Sequence, residues 1–321
     1  MDLTWDNKNK VLYYSLSEKS ISINPIWINE KDFHLMNSFP LELLRTIGDD
    51  KSENRLIYGD NLLSLKTLLE EYEGKINCIY IDPPYNTGYA FSTYNDNFEH
   101  SEWIGMMYHR ILLLHQLLYE EGIIFVQLDD LEHAYLEVLM NMVFKEKNKV
   151  GTIIWRRRQS QANLSGTLSS IHDYILIYAK NKEKLHNDRL KSMLWTDTSK
   201  YGYNQRSSEE IETYFGSKTA FDTPKPELLI YNLLKISTKE NDIVLDSFLG
   251  SGTTAAVAHK MKRRYIGIEM SSTAFSLSEG RINQIITEKP QKDVGITKLV
   301  HWRGGGGCKI YHLNTNLNNC N

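Results

Sequence analysis

The feature that most constrains the fold is a series of short apolar runs, each ending in an acidic residue and most followed by a helical pattern. Strands that alternate with helices are typical of βαβ units, and so of a parallel sheet with helices on both faces. In such a sheet, ligands bind at the carboxyl ends of the strands. We therefore predict an α/β fold with a binding crevice along one edge of the sheet. The acids that end the runs are Asp60, Asp82, Asp129, Asp246 and Glu269.

Several protein classes are excluded by the residues that the chain lacks. Its three cysteines are too few and too scattered for a disulfide framework, and no Cys/His spacing suits zinc, so no metal site is predicted. Residues 1–5 do not begin a basic and apolar leader, and the longest apolar stretch, 104–119, is interrupted by charged and polar side chains. These patterns favour a cytoplasmic protein with no membrane partner.

The first motif with a chemical reading is Asp82-Pro83-Pro84-Tyr85, directly after a predicted strand. Two prolines fix two successive φ angles and remove two backbone donors, so the loop is stiff. The carboxylate and the Pro83 carbonyl can accept both N–H bonds of an exocyclic amine, while the tyrosine ring stacks on a planar base. A plain proline turn at a strand end is the alternative explanation.

The second motif, 246–254, reads Asp-Ser-Phe-Leu-Gly-Ser-Gly-Thr-Thr between a strand and a helix. Its glycines allow close backbone approach, and the helix N-terminus offers free N–H groups. Glu269 ends the next strand, where an acid typically binds the ribose hydroxyls of an adenosine group. Because neither a third glycine at dinucleotide spacing nor a phosphate-loop lysine is present, NAD and ATP are disfavoured. We predict a nucleoside ligand here in preference to a plain tight turn.

Together the two motifs resemble those of the DNA amino-methyltransferases that use S-adenosylmethionine. The resemblance is closest to the adenine-specific group that includes the modification subunits of type III restriction systems. Supporting stretches are 79–88, 223–227 and 302–307, so the resemblance covers roughly residues 55–310. The catalytic motif precedes the cofactor motif, an order similar to that of the permuted beta class.

This resemblance implies a Rossmann-like methyltransferase sheet that is mostly parallel with an antiparallel edge strand, in circularly permuted motif order. It also implies how the chain is divided. The expected parts are an N-terminal preamble (1–54), a catalytic half (55–180), a target-recognition insertion (181–222), the cofactor-binding half of the same domain (223–287) and a C-terminal tail (288–321).

The activity implied by the resemblance is direct transfer of a methyl group from S-adenosylmethionine to the exocyclic amine of adenine in duplex DNA, after base flipping. The catalytic candidates are Asp82, Pro83, Pro84 and Tyr85. The cofactor-binding candidates are Asp60, Lys225, Pro226, Asp246, Phe248, Gly250, Gly252, Thr253, Thr254 and Glu269. For Asp60, a turn acid is an equally good reading.

The charges of the chain give two opposite indications about DNA binding. The net charge of −3 argues mildly against a nucleic-acid binder, but the stretch 145–191 holds eleven basic residues against four acidic ones. A solvated loop surface is the ordinary explanation of such a run; beside a catalytic loop of this kind we expect contact with the DNA backbone. The DNA-binding candidates are Arg156, Arg157, Arg158, Lys180 and Lys182.

Several alternatives stay open at this point. A cytosine exocyclic-amino methyltransferase and an RNA methyltransferase would share the chemistry, and a catalytically silent DNA-binding subunit would share the fold. The family also gives a homodimer and a restriction subunit as candidate partners beside double-stranded DNA, although no interface can be read from the sequence.

Overall fold

The computed structural model describes residues 3–16, 23–36, 38–88, 98–159, 170–185, 194–287 and 294–315. Its strands are β1 (Lys10–Leu16), β2 (Ile23–Asn29), β3 (Leu41–Gly48), β4 (Arg55–Tyr58), β5 (Ile76–Ile81), β6 (Leu118–Leu128), β7 (Lys149–Arg156), β8 (His172–Ala179), β9 (Leu194–Trp195), β10 (Ile243–Asp246), β11 (Arg264–Glu269) and β12 (Gly307–Leu313). Its α-helices are α1 (Glu30–Leu35), α2 (Asn61–Tyr72), α3 (His100–Leu117), α4 (His133–Phe144), α5 (Thr198–Tyr201), α6 (Asn204–Phe215), α7 (Glu227–Ser237), α8 (Thr253–Lys260) and α9 (Ser272–Thr287).

The main sheet has ten strands among the described residues, in the order β3-β12-β4-β11-β10-β5-β6-β8-β7-β9. Strands β12, β4, β11, β10, β5 and β6 are mutually parallel, whereas β3 and β8 run antiparallel to their neighbours. The predicted α/β class, with a mostly parallel sheet and an antiparallel edge strand, is confirmed.

Both faces of this sheet are buried, because helices cover each of them. Side chains of β5 alternate between two apolar clusters: Ile79 and Ile81 pack with α2, α3 and α4, while Cys78 and Tyr80 pack with α7, α8 and α9. A central strand buried on both sides needs apolar residues at most positions, which is why β5 appears in the sequence as an apolar run interrupted only by Asn77. The parallel strands therefore all present their carboxyl ends at one edge.

The two strands on one side of β4, β12 and then β3, come from segments for which no regular structure was predicted. Strand β3 belongs to the expected preamble and β12 to the expected tail, and they pair with each other antiparallel before β12 pairs with β4. The Gly-rich run before β12 allows this pairing, because a Cβ on Gly307 would lie 2.1 Å from the Asp49 carbonyl oxygen. The sequence did not indicate that either segment would join the main sheet, and the division of the chain into the expected parts stays a prediction.

The N-terminal strands β1 and β2 form a separate antiparallel pair that packs on α3. Arg110 on α3 donates to the Leu12 carbonyl at 3.1 Å, and His109 contacts the Lys10 carbonyl at 3.2 Å. The N-terminal strands therefore pack on the main body through α3.

The segment expected to recognise the target, 181–222, also carries structure that the sequence did not indicate. Of its residues, 186–193 lie outside the described part of the chain. Helix α6 packs by its Ser207 and Glu210 side chains, with Ser207 Oγ donating to the Pro224 carbonyl at 2.7 Å. Its role in target recognition stays a prediction.

None of the helices in the described ranges is long and apolar enough to cross a membrane. The cytoplasmic location stays a prediction.

Candidate functional site

A cavity of about 880 Å³ opens at the carboxyl ends of β5, β6, β10 and β11, within the size range of ligand sites. Both sequence motifs line it: Asp82 to Tyr85 on one side, and Asp246 to Ser251 with Glu269 on the other. The parallel strands bring these segments together although about half of the chain separates them. This is the edge of the sheet at which the sequence predicts ligand binding.

The Asp82 loop is held from inside the fold. The carboxylate of Asp82 accepts from the Tyr85 hydroxyl at 2.8 Å and forms an ion pair with Lys225. The Pro84 carbonyl accepts from the indole N–H of the fully buried Trp103 at 2.8 Å. Trp103 therefore fixes the loop, and the Pro83 carbonyl is the one that stays a candidate for ligand binding.

Lys225, one of the cofactor-binding candidates, contacts the Asp82 loop. Its ammonium pairs with Asp82 and lies 5.2 Å from the centre of the Tyr85 ring. Its side chain is only 9% exposed. Its ion pair thus connects the segment before α7 to the Asp82 loop, and its role in cofactor binding stays a prediction.

A polar cluster that the sequence did not reveal lies behind Tyr85. Asp173 on β8 is 1% exposed and pairs with Arg157 at 3.0 Å. Its Oδ2 accepts from Gln127 at 2.8 Å and lies 3.2 Å from the Tyr85 hydroxyl. Gln127 in turn accepts from Tyr80 at 2.8 Å. Burial, reinforced by the charges of Asp173 and Asp82, raises the pKa of Tyr85 well above its usual range, so its hydroxyl keeps its proton.

The glycine loop is tied to the acid that ends β11. Backbone N–H groups of Gly250 and Ser271 donate to the two oxygens of Glu269, each at 2.8 Å. Burial raises the pKa of Glu269, while these donors oppose the shift. A carboxylate oxygen has a second lone pair, so hydroxyl donors of a ligand can still bind here.

Asp246 lies at the start of the same loop. Its Oδ1 accepts from the Phe248 N–H at 3.0 Å. Burial raises its pKa to about 7, opposed by hydrogen bonds from Thr254 and Phe248 and reinforced by the negative charges of Asp82 and Glu269. A cationic ligand in the cavity would favour its ionised form.

A buried ionic cluster supports the loop from below. Arg281 on α9 donates to Thr253 Oγ1 at 2.9 Å and to Glu227 at 2.9 Å, and Lys260 pairs with Glu227 at 2.7 Å. Although burial opposes it, the two cations lower the pKa of Glu227 to about 2. The hydroxyl of Thr253 therefore supports the start of α8, and it donates to the Lys225 carbonyl at 3.1 Å.

Three of the predicted cofactor residues do not line the cavity. Asp60 is fully buried as the N-cap of α2, and it accepts from Leu63 and Tyr14 and pairs with Arg110, so the turn-acid alternative describes it and the ligand role is corrected. Pro226 is the N-cap of α7 and Gly252 is the N-cap of α8. These two shape the loop through the backbone, whereas Phe248, Gly250, Thr253, Thr254, Asp246, Lys225 and Glu269 do line the cavity.

The predicted DNA-binding residues are divided between two ends of the sheet. Arg156 ends β7 opposite His172, near the cavity, while Ala179 at the other end of β8 pairs with Ile123, at the far end of β6. Lys180 and Lys182 follow that far end and bond the His115 and Lys149 carbonyls. The antiparallel direction of β8 therefore removes these two lysines from the site, which corrects their assignment.

Arg157 and Arg158 line the cavity itself. Because Arg157 pairs with the buried Asp173, its prediction as a contact to the DNA backbone is also corrected. Arg189 and Lys191, which contribute to the basic stretch, lie outside the described residues.

Residues 76–280 match the family model described as DNA methylase. This match covers well over half of the chain and includes both motifs.

The chain belongs to the DNA methylase family.

Curated relatives of the chain include the Type II methyltransferase M.HinfI of Haemophilus influenzae, 30% identical over 72% of this chain and 69% of that protein. The EcoP15I Mod subunit of a Type III restriction-modification enzyme from Escherichia coli is 30% identical over 53% of this chain and 32% of its own length. The chain spans about half of the StyLTI Mod subunit of Salmonella typhimurium, to which it is 26% identical over 65% of its residues.

Solved structures share the fold of this chain. The PvuII DNA methyltransferase, cytosine-N4-specific, aligns with a TM-score of 0.55 at 19% identity, covering 75% of this chain and 90% of that one. A Thermus thermophilus protein described as a DNA modification methylase, complexed with S-adenosyl-L-methionine, aligns with a TM-score of 0.52 at 17% identity, covering 80% and 99%.

The sequence did not indicate two parts of this site, the polar cluster around Tyr85 and the N-terminal strands. Asp173 is the one acid within the apolar run of β8, and an isolated buried acid in such a run is the signal that could have drawn attention to it. The N-terminal strands also reach the cavity through Leu12, Tyr14 and Trp27, and nothing in their pattern indicates this contact.

Proposed function

We propose that this chain methylates the exocyclic amino group of adenine in duplex DNA, using S-adenosylmethionine, within a restriction-modification system. The observation that carries the proposal is that one cavity joins the Asp82 loop to the Gly250 loop and Glu269. A methyl donor and an acceptor amine need adjoining subsites, because direct transfer requires them to meet.

The residues of the glycine loop suit S-adenosylmethionine. Glu269 offers acceptor lone pairs for ribose hydroxyls, and Asp246 offers a carboxylate whose ionised form a cationic ligand would stabilise. S-Adenosylmethionine supplies, when bound, a methyl group on a positively charged sulfur. Phe248 adds an apolar wall to the same part of the cavity.

The residues of the Asp82 loop suit the acceptor amine. Asp82 and the Pro83 carbonyl accept N–H bonds, which directs the nitrogen lone pair away from the ring and toward the methyl donor. Such fixed acceptors act through positioning and electrostatics and need no covalent enzyme intermediate. A base can reach this pocket only after leaving the duplex, and the Tyr85 ring lines the cavity it would enter.

We expect Asp82→Ala to lower methyl transfer by at least about 10²-fold while cofactor binding changes little, since the substitution removes an acceptor of the reacting amine. Transfer of tritiated methyl groups to duplex DNA measures the rate, and calorimetry measures binding of S-adenosylmethionine. The matched control is Asp130→Ala, an acid at the same edge that does not line the cavity and is 51% exposed. Near-normal transfer by the Asp82 variant would exclude this role.

The methylated base is identified by a separate measurement. Sequencing of methylated genomic DNA with and without the gene gives the recognition site, and mass spectrometry of the nucleosides distinguishes N6-methyladenine from N4-methylcytosine. Transfer to RNA in preference to DNA would favour the RNA alternative. Bound cofactor without transfer to either would favour a silent DNA-binding subunit.

The DNA partner would be held at the edge of the sheet where Arg156 and Arg158 lie. A restriction subunit is inferred because several relatives are Mod subunits of Type III restriction-modification enzymes. A homodimer stays a prediction from the family resemblance. Copurification of the chain with the products of neighbouring genes, and its mass in solution, test these two partners.

A further inference from the structure

Asp82, the proposed acceptor of the target amine, already has two partners in the structure. Asp82 accepts from the Tyr85 hydroxyl at 2.8 Å and pairs with Lys225, and both of these partners line the same cavity as Asp82. The Asp82 side chain is 20% exposed, so an incoming amine can reach it. That amine must then share the carboxylate with Tyr85 and Lys225.

Tyr85 has a second acceptor within reach. Its hydroxyl lies 3.2 Å from Oδ2 of Asp173 as well as 2.8 Å from Oδ1 of Asp82. A phenol hydroxyl carries one proton, so it donates to one of the two carboxylates at a time. Burial keeps that proton in place by raising the pKa of Tyr85, so the hydroxyl always needs an acceptor.

Asp173 is built to receive this hydrogen bond. Its side chain is 1% exposed, and Arg157 and Gln127 hold it at 3.0 Å and 2.8 Å. The Oδ2 atom that accepts from Gln127 has a second lone pair, which points to room for one more donor. Neither Arg157 nor Gln127 reaches Asp82, so the cluster can stay in place while Tyr85 changes partner.

We propose that Asp173 is a positioning residue that accepts the Tyr85 hydrogen bond when the target amine arrives, and so frees Asp82 to accept from that amine. This inference rests on the proposed function. The exchange replaces one hydroxyl–carboxylate bond by another and therefore costs little. Without Asp173 as acceptor, the hydroxyl must either stay on Asp82 and compete with the amine or lose its bond inside the protein.

The kinetic test compares wild type, Asp173→Asn, Tyr85→Phe and the double variant. Asp173→Asn leaves one oxygen for three donors, so kcat should fall about tenfold or more while cofactor affinity and KM for DNA change less than about twofold. Tyr85→Phe removes the competitor together with its need for an acceptor, so it supplies the background in which the loss of Asp173 is compared. In the Tyr85→Phe background, Asp173→Asn should cost little further.

The comparison of Asp173→Asn in the two backgrounds distinguishes a positioning role of Asp173 from a merely structural one. If Asp173 only supported the fold, its substitution would lower kcat by the same factor in both backgrounds, and that result would overturn the proposal. An unchanged kcat in Asp173→Asn would overturn it as well. The matched control is Tyr178→Phe, which removes a hydroxyl bonded to Asn141 at 2.8 Å on the other half of β8 and should leave kcat unchanged.

A measurement that needs no turnover tests the change of partner by Tyr85 independently of the proposed function. Tyrosine labelled with ¹³C at Cζ reports the hydrogen bond of its hydroxyl, and the signal missing from Tyr85→Phe identifies Tyr85. Saturating deoxyadenosine, in the presence of S-adenosylhomocysteine, should shift this signal in wild type and leave it in place in Asp173→Asn. A wild type that transfers no methyl group but shows this shift would refute the function and retain the exchange. A signal that does not move in wild type would overturn the exchange.

Discussion

Acids around the cavity differ in the donors that surround them. Glu269 accepts two backbone N–H bonds and Asp173 pairs with a guanidinium. The oxygens of Asp246 instead meet one backbone donor and the Thr254 hydroxyl, and no cation in the described part of the chain pairs with them. Burial therefore raises the pKa of Asp246 to about 7, and its two hydrogen bonds only partly oppose this shift.

This difference predicts a pH dependence of stability. The pKa of Asp246 is about 7 in the folded protein against 3.8 as its ordinary value, so its contribution to stability is fully present below about pH 4 and is lost as the pH rises through about 7. We expect Asp246→Asn, which cannot ionise, to abolish this loss, worth on the order of 2–4 kcal/mol at pH 8. Urea unfolding at pH 5 and pH 8 without ligand measures it.

The control carries the same substitution at Asp242, whose carboxylate accepts from the Lys239 N–H at an exposed turn away from the cavity. Asp242→Asn should leave the difference between the two pH values as in wild type. An equal difference in wild type and in Asp246→Asn would show that Asp246 does not ionise in this range.

Helix α8 depends on how closely it can approach α9. Gly252 caps α8 with φ near 80°, and a Cβ there would lie 2.9 Å from the Cβ of Ser278 on α9. The glycine thus serves a packing requirement in addition to a turn. Helix α8 begins directly after the glycine loop, and Arg281 on α9 donates both to Thr253 at the start of α8 and to Glu227.

Gly252→Ala should lower the free energy of unfolding by about 2–4 kcal/mol, because it combines the cost of a left-handed alanine with steric overlap. Gly216→Ala is matched to it: φ is 76° and no described atom lies within 4 Å of the added Cβ, so only the backbone cost of about 1 kcal/mol remains. Urea unfolding gives both values, and calorimetry should show weaker cofactor binding only for Gly252→Ala. Equal losses in the two variants would argue against the packing role.

Elements differ in how far the sequence determined them. Strands β5 and β10 coincide with the apolar runs that end in Asp82 and Asp246, since central parallel strands are apolar at most positions. Strand β3 was missed because an edge strand needs no such pattern, and Leu43 and Leu44 are both about half exposed. The two site motifs could be predicted because each is local; the contact between Tyr85 and Asp173 could not, since 88 residues separate them and only the antiparallel pairing of β8 brings them together.

At the scale of the whole protein, the described residues of the basic stretch 145–191 lie at two opposite ends of the sheet strands. Arg158 lies at the cavity, whereas Lys182 lies beyond the other end of β8. A sequence count of charges cannot make this distinction, because the residues are close along the chain. DNA bound at the cavity should therefore contact only the first of these positions.

Arg158→Ala should weaken binding to duplex DNA about eightfold at about 0.1 M salt and reduce the slope of log affinity against log salt by about 1, as expected for one lost phosphate contact. Lys182→Ala should leave both quantities unchanged, because its ammonium bonds the Lys149 carbonyl at 2.8 Å, far from the cavity. Fluorescence anisotropy over a range of salt concentrations measures them. Equal effects of the two substitutions would mean that DNA does not approach from the cavity edge.

The position of β12 has a consequence for how the protein is made. Strand β4 lies between β11 and β12, both of which are translated long after it, and β3 pairs only with β12 among the described strands of this sheet. A ribosome must therefore pass Leu313 before this side of the sheet acquires its last strand. Until then the nascent chain carries unpaired strand edges, which are prone to aggregation. We expect the part of the sheet formed by β3, β12 and β4 to fold only after synthesis of β12. Chaperones that bind exposed strands during translation should therefore raise the yield of folded protein.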